Sequence, residues 1–167
     1  MRSNELLLDS FGRIRDVVAA TLEGVDDESL IRRPAGTGNS IAWLIWHLSR
    51  VEDVQVASAA GVEQVWTSQD FADRFKLPLP ERDTGYGHSS DKVDAVQAPP
   101  ELLLGYYDAV HRQTAAFLET LGDEDLDRIV DTRWDPPVTL GVRLVSTIAD
   151  CLQHVGQAAY AKGLGGL

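Results

Sequence analysis

The stretch that sets the fold is SIAWLIWHLSRVEDVQVASAAG, residues 40–61. Its first half is apolar almost all round, and its second half is amphipathic. A helix that is apolar on every side lies in the centre of a domain. Ser40, or Asn39 before it, is a good N-cap, and Gly61 stops the helix. The sequence therefore predicts a buried helix over 40–60, and His47 on that helix points inward.

Three more helices flank this one in the sequence. Apolar residues recur at helical spacing from about 4 to 22, and again from 99 to 121, where prolines occupy the first turn. A fourth helix is predicted from the N-cap Thr139 to about Lys162, with Gly163 ending it. We find no convincing strand, because the alternation at 138–140 is too short. The chain is therefore expected to be all-α, a four-helix bundle.

Helices 2 and 3 are separated by a long connection, residues 61–98. It has room for a short helix over 66–75, followed by irregular Pro- and Gly-rich sequence. Connections of this length inside a compact domain are often functional or lid-like.

Composition excludes several functional classes. The chain has 167 residues, which suits a single domain over 1–167, and its formal net charge is -11. No Lys/Arg cluster interleaves with aromatic residues, so we expect no nucleic-acid binding. No apolar run reaches about 18 residues and the N-terminus does not look like a signal peptide, so no membrane span is expected. The single cysteine, Cys151, cannot form an intrachain disulfide and favours a reducing cytoplasm.

Three side chains are candidate metal ligands. Asp150 and His154 are four residues apart and share one face of the last helix, beside its core stripe. With His47 they offer two imidazoles and a carboxylate, a set that suits a divalent cation with open coordination positions. Spacing alone leaves two other interpretations open. His47 fits a hydrogen-bonded core histidine, and the Asp150–His154 pair fits a weak ion pair.

The same stretches resemble a known family. Residues 40–53 are similar to the second helix of the DinB-like superfamily, with its metal-binding histidine at His47, and 150–157 resemble the last helix of that superfamily. Residues 83–88 resemble a segment of actinobacterial members. Many members carry His-x-x-x-His on the last helix, where this chain has Asp150. The mycothiol-dependent maleylpyruvate isomerases have Glu there and bind zinc, so the resemblance implies a site with zinc, or alternatively nickel, and Asp150 as a shorter ligand.

The resemblance also implies a function. Relatives of known activity use mycothiol or bacillithiol in S-transfer or isomerisation, and a metal would activate the small-molecule thiol. Arg143 would meet a substrate carboxylate or be a solvated charge at the helix start. A non-catalytic metal- or ligand-binding stress-response protein remains an alternative. A metal-dependent hydrolase is another; it needs a general base near the metal, and the sequence does not place Glu52 and Asp53, a turn or more from His47 on the same helix, against that metal. A homodimer is expected by analogy.

Four other residues carry less weight in the functional prediction. Cys151 lies on the core stripe and is expected to be a small apolar filler. His88 is expected to be a turn residue, with closure over the site as the alternative. Trp43 and Trp46 are expected to be core residues.

Overall fold

The computed structural model describes residues 1–164 and is mainly helical. Its helices are α1 (Ser3–Leu22), α2 (Asp27–Ile31), α3 (Ile41–Ala60), α4 (Val65–Ser68), α5 (Phe71–Phe75), α6 (Ser90–Asp94), α7 (Pro100–Glu119) and α8 (Leu140–Leu164). Two short 3-10 turns, Pro34–Gly36 and Asp123–Asp127, lie between helices. A small hairpin pairs β1 (Ile129–Asp131) antiparallel with β2 (Val138–Thr139).

The four long helices, α1, α3, α7 and α8, form the bundle. Helix α3 packs against α7 on one side and α8 on the other, and α1 closes the bundle by packing against the same two helices. Leu48 of α3 accepts a hydrogen bond from Cys151 of α8, and Gln55 further along α3 meets Arg143 near the start of α8. Helices α3 and α8 are therefore antiparallel. The expected all-α fold is confirmed.

Helix α3 follows its sequence pattern closely. The Ser40 hydroxyl accepts a hydrogen bond from the backbone N–H of Trp43 at 3.2 Å, and Gly61 ends the helix in the left-handed region, with φ +71. Residues 41–50 are all buried. Helices α7 and α8 cover two faces of α3, and the 61–98 connection covers another, so this apolar helix meets no water along residues 41–50.

The connection from α3 to α7 is compact. The predicted short helix over 66–75 is divided into α4 and α5, and α6 follows the irregular Pro- and Gly-rich stretch. The Asp53 carboxylate of α3 accepts hydrogen bonds from the backbone N–H groups of Val65 and Trp66, at 2.9 and 2.8 Å. These bonds fix the start of α4 to the bundle, in the way an N-cap side chain would.

Two local features differ from the sequence prediction. The sequence predicts no strand at 138–140, yet Val138–Thr139 form strand β2, because pairing with β1 supplies hydrogen bonds that a two-residue strand cannot make by itself. Helix α8 continues through Gly163 to Leu164, because a glycine within a helix costs only about 1 kcal/mol and does not force an end. Within residues 1–164, none of the helices combines the length and apolar character needed to cross a bilayer.

Candidate metal centre

The bundle brings the three predicted ligands together. His47 of α3 lies opposite Asp150 and His154 of α8, and one ligand atom from each of the three lies within 4.8 Å of the others. The two imidazole rings are 4.6 Å apart between centroids and nearly perpendicular, at 78°. His47 is buried, whereas the side chains of Asp150 and His154 are 40% and 19% exposed. The cluster is therefore reachable from solvent on its α8 side.

Hydrogen bonds leave one nitrogen of each histidine free. Nδ1 of His47 lies 2.5 Å from the carbonyl oxygen of Thr84. Because a carbonyl oxygen can only accept, Nδ1 carries the proton and Nε2 keeps its lone pair for a ligand. Nδ1 of His154 lies 3.1 Å from Oε1 of Gln157, a contact that suits the same tautomer. In this arrangement both imidazoles can bind a cation through Nε2.

The carboxylate of Asp150 also lacks a partner. Its Oδ2 atom is buried and makes no hydrogen bond within the described chain, and its Oδ1 atom is 3.7 Å from Nε2 of His154. A buried carboxylate oxygen without a partner is costly. A divalent cation shared with the two imidazoles would satisfy this oxygen, so the donor set fits such a metal.

The protonation state of His47 suits the same role. Burial lowers the pKa of His47, and the neighbouring His154 and His88 also disfavour a charged ring. The hydrogen bond to Thr84 and the charge of Asp150 act in the opposite direction without reversing the shift. His47 is therefore neutral at pH 7, which is the form that coordinates a metal.

A second layer of side chains, which does not include the candidate ligands, supports the ring of His47. The ring of Trp43 stacks on His47, with centroids 4.6 Å apart and planes tilted by 17°. The Trp43 indole N–H donates to Nδ1 of His88 at 3.1 Å, and Nε2 of His88 lies 2.9 Å from Oδ1 of Asp83. An indole N–H only donates, so the His88 proton is on Nε2 and is donated to Asp83. The His88 side chain is 1% exposed, so it is a buried support of the site rather than a simple turn residue.

Gly85 lets the supporting loop approach His47. A Cβ at this position would lie 2.7 Å from Nδ1 of His47, and the backbone has φ +95, which side chains rarely adopt. The glycine therefore allows the backbone to bring the Thr84 carbonyl to the ring. Sequence reasoning missed this carbonyl, because a backbone group has no residue type of its own. The Asp-x-Gly-x-Gly-His spacing of residues 83–88 was the available signal.

Comparison with known proteins places the chain in a family. The sequence model of the DinB superfamily matches residues 10–158. The chain belongs to the DinB superfamily. A crystal structure of a conserved protein from Enterococcus faecalis is similar to this DinB protein, with 31% sequence identity, a TM-score of 0.90, and coverage of 97% of this chain and 96% of that chain. Among curated protein sequences no significant match exists.

Two acidic residues of this DinB protein lie away from the candidate centre. Glu52 accepts a hydrogen bond from the Tyr107 hydroxyl at 3.0 Å, and Asp53 accepts one from the Tyr106 hydroxyl at 2.8 Å. Both carboxyls therefore bind tyrosines of α7, whereas the ligand cluster lies between α3 and α8. Their hydrogen bonds give no support to a role as the base of a metal-dependent hydrolase.

Two residues of α8 have other partners. Cys151 is fully buried, its thiol contacts the carbonyl oxygen of Leu48 at 3.6 Å, and burial raises its pKa well above the usual value. This confirms the prediction that Cys151 is an apolar filler. Arg143 donates to Asp131 at 2.8 Å and also to Gln55. It is therefore held in place rather than freely solvated.

Proposed function

We propose that this DinB superfamily protein is a metal-dependent enzyme that uses a low-molecular-weight thiol in S-transfer or isomerisation. His47, Asp150 and His154 would hold the metal, with zinc the first expectation and nickel the second. The observation that carries the proposal is the convergence of one ligand atom each from His47, Asp150 and His154 within 4.8 Å, together with a buried Oδ2 atom of Asp150 that has no hydrogen-bond partner among the described residues. A mycothiol-type thiol is the expected cosubstrate.

The chemistry follows from the donor set. A divalent cation bound by three protein ligands would leave a position for a thiol and would lower the pKa of that thiol, so that thiolate forms at neutral pH. The chain itself supplies the orientation: the Thr84 carbonyl fixes the tautomer of His47, and Trp43 covers one face of its ring. Cys151 is buried, so it is not offered as the nucleophile.

Exposure favours an enzyme over a closed structural site. A structural zinc site is normally surrounded by four protein ligands and shielded from solvent. Here the cluster has three candidate ligands among the described residues, and Asp150 is 40% exposed. A small ligand can therefore approach from the α8 side. We place this activity in the cytoplasm, where low-molecular-weight thiols are kept reduced.

The proposal is tested by metal analysis of protein purified without a His-tag. We expect about one zinc or nickel per wild-type chain, consistent with a single three-ligand site. Asp150→Ala and His154→Ala should both lose it, while Gln153→Ala, an exposed neighbour on α8, should retain it. Metal-loaded wild type should then transfer mycothiol to an electrophile. If wild-type protein binds no zinc or nickel even after reconstitution, the proposal is wrong.

We also propose a homodimer. The outer side of α8 carries apolar side chains at helical spacing, and Val142, Val145, Leu152 and Tyr160 are 58%, 61%, 47% and 70% exposed. A continuous exposed apolar stripe is uncommon on a monomer and is typical of an interface. A second copy of α8 would cover it symmetrically.

A further inference from the structure

A second polar cluster lies between α3 and α8, at the end of the bundle where the hairpin packs. Arg143 of α8, Gln55 of α3, and Asp131 and Arg133 of the hairpin region line a cleft of about 480 Å³. The metal-binding step of the proposed chemistry uses none of these residues, and the sequence predicts a substrate contact for Arg143 alone. All four are joined by hydrogen bonds, because Asp131 accepts from both arginines, at 2.8 Å in each case, and Arg143 also donates to Gln55.

The cleft lies on the same side of the α3–α8 pair as the candidate metal centre. On α8, Arg143 precedes Asp150 by seven residues, which is two helical turns, so both side chains point the same way. On α3, His47 and Val54 are separated by the same interval, and Val54 lines the cleft. Because the two helices are antiparallel, the metal-ligand cluster and the cleft lie at two points along the same α3–α8 contact. They are about 10 Å apart along the helix axis, from a rise of 1.5 Å per residue.

The charge in the cleft is unbalanced. Two guanidinium groups, Arg133 and Arg143, face one carboxylate, that of Asp131, so one positive charge remains. Strong hydrogen bonds from the arginines hold the pKa of Asp131 well below its usual range, so this carboxylate stays ionised. The cleft is therefore a local positive site on a chain whose net charge is -11.

The two arginines also keep hydrogen-bonding capacity. Each guanidinium has five N–H donors. Arg133 gives its Nε and one Nη to Asp131, and Arg143 divides its bonds between Asp131 and Gln55. The Arg133 side chain is 83% exposed and that of Arg143 is 17% exposed. Among the described residues, three donors on each guanidinium have no protein partner, so a second carboxylate could be received beside Asp131.

We infer that this cleft binds the carboxylate of a small-molecule ligand whose other end reaches the candidate metal centre. The ligand class is a thiol, or its conjugate, with a carboxylate about 10 Å from the sulfur, the distance set by two helical turns. Arg133 and Arg143 are specificity-determining residues in this arrangement, and Asp131 positions them. The inference rests on the proposed function, because the metal-binding end of the ligand is assigned by it.

The experiment measures ligand binding on cobalt-substituted protein. A series of ω-mercapto carboxylic acids of increasing length is titrated, each beside its neutral methyl ester, and the thiolate-to-cobalt absorption reports binding. We expect an acid of intermediate length to bind about tenfold more tightly than its ester, the gain of a charge-assisted hydrogen bond. Arg133→Gln and Arg143→Gln should each remove most of this preference. Arg112→Gln, an exposed arginine on α7, should leave it unchanged.

The outcomes separate this inference from the proposed function. Equal affinity for acid and ester at every length, with the thiolate absorption present, overturns the inference and leaves the proposed function standing. If the protein retains no cobalt, the proposed function fails, and carboxylate binding in the cleft is then tested on metal-free protein. There, the NMR resonances of the Nε–H groups of Arg133 and Arg143 should shift with the acid and not with the ester. Absence of that shift overturns the inference. Arg133 is exposed, so Arg133→Gln keeps the test valid if Arg143→Gln unfolds.

Discussion

Glu52 is a fully buried carboxyl between α3 and α7. The Tyr107 hydroxyl donates to its Oε2 atom at 3.0 Å, and its Oε1 atom has no hydrogen-bond partner within the described chain. Burial raises the pKa of Glu52 to about 7. The unfolded chain would ionise this group near its ordinary pKa, so the folded state holds a proton that the unfolded state gives up between about pH 4.5 and 7.

The stability of the protein should therefore fall as the pH rises through this window. Glu52 contributes no penalty below about pH 4.5, and above pH 7 the penalty reaches up to about 3 kcal/mol. Because glutamine cannot ionise, the free energy of unfolding of Glu52→Gln minus that of wild type should increase by about that amount as the pH rises from 5 to 8. Urea unfolding of both proteins at the two pH values measures it. Parallel pH profiles would show that Glu52 does not titrate in this range.

His88 and Asp83 should control metal binding without touching the metal. Asp83 accepts from His88, and His88 accepts from Trp43, which stacks on His47. Supports of this kind typically change metal affinity 10- to 100-fold. We expect His88→Ala to weaken zinc binding by roughly that range, with Asp83→Asn milder because an amide oxygen still accepts from His88. Competition with a chelator measures the affinity. Exposed Asp91→Asn is the control, and an unchanged affinity in His88→Ala would contradict this role.

Helix α3 joins two chemically different sides of the molecule. On the α8 side it carries His47, and on the α7 side it carries Glu52 and Asp53. Arg50 of α3 links α7 to the loop around residue 84, since it donates to the Tyr106 hydroxyl at 3.2 Å and to the carbonyl oxygen of Asp83 at 3.2 Å. The loop that holds His47 is therefore fixed to the core through Arg50.

Removal of Asp53 should loosen the connection between α3 and α7. Its carboxylate caps α4, lies 3.6 Å from Arg50, and accepts from Tyr106. Asp53→Ala leaves a buried guanidinium without its counter-charge, which typically costs about 3–5 kcal/mol. We expect a loss of that order in chemical unfolding, together with faster amide exchange at the start of α4. Glu63→Ala, an exposed residue of the same connection, should change neither, and a loss below about 1 kcal/mol in Asp53→Ala would contradict the role.

The arrangement of the four long helices decides which surfaces remain for other molecules. Helix α8 packs against α1 and α3, so its outer apolar stripe, including Leu152 and Tyr160, faces solvent. We expect a homodimer in light scattering at micromolar concentration, and Leu152→Glu should shift it to monomer because a charge would be buried in the interface. Leu6→Glu, at an exposed leucine of α1, should remain dimeric. A wild-type monomer at these concentrations would exclude this interface.

Local sequence patterns were sufficient for the long helices. The apolar run after Ser40 and the stop at Gly61 gave α3 with its observed bounds, because capping and helical periodicity act over a few neighbouring residues. The spacing of Asp150 and His154 placed both side chains on one face of α8 for the same reason. Periodicity also indicated that His47 points inward.

Only tertiary packing determined which side chains contact each other. Periodicity says that a side chain is buried and not what it meets, so it did not reveal that Glu52 faces Tyr107 while His47 faces Asp150. The carbonyl of Thr84 reaches His47 across 37 positions of sequence and carries no signature of its own. Such contacts arise when distant segments pack together, because hydrogen bonds and charge pairs form wherever the fold brings their atoms within reach.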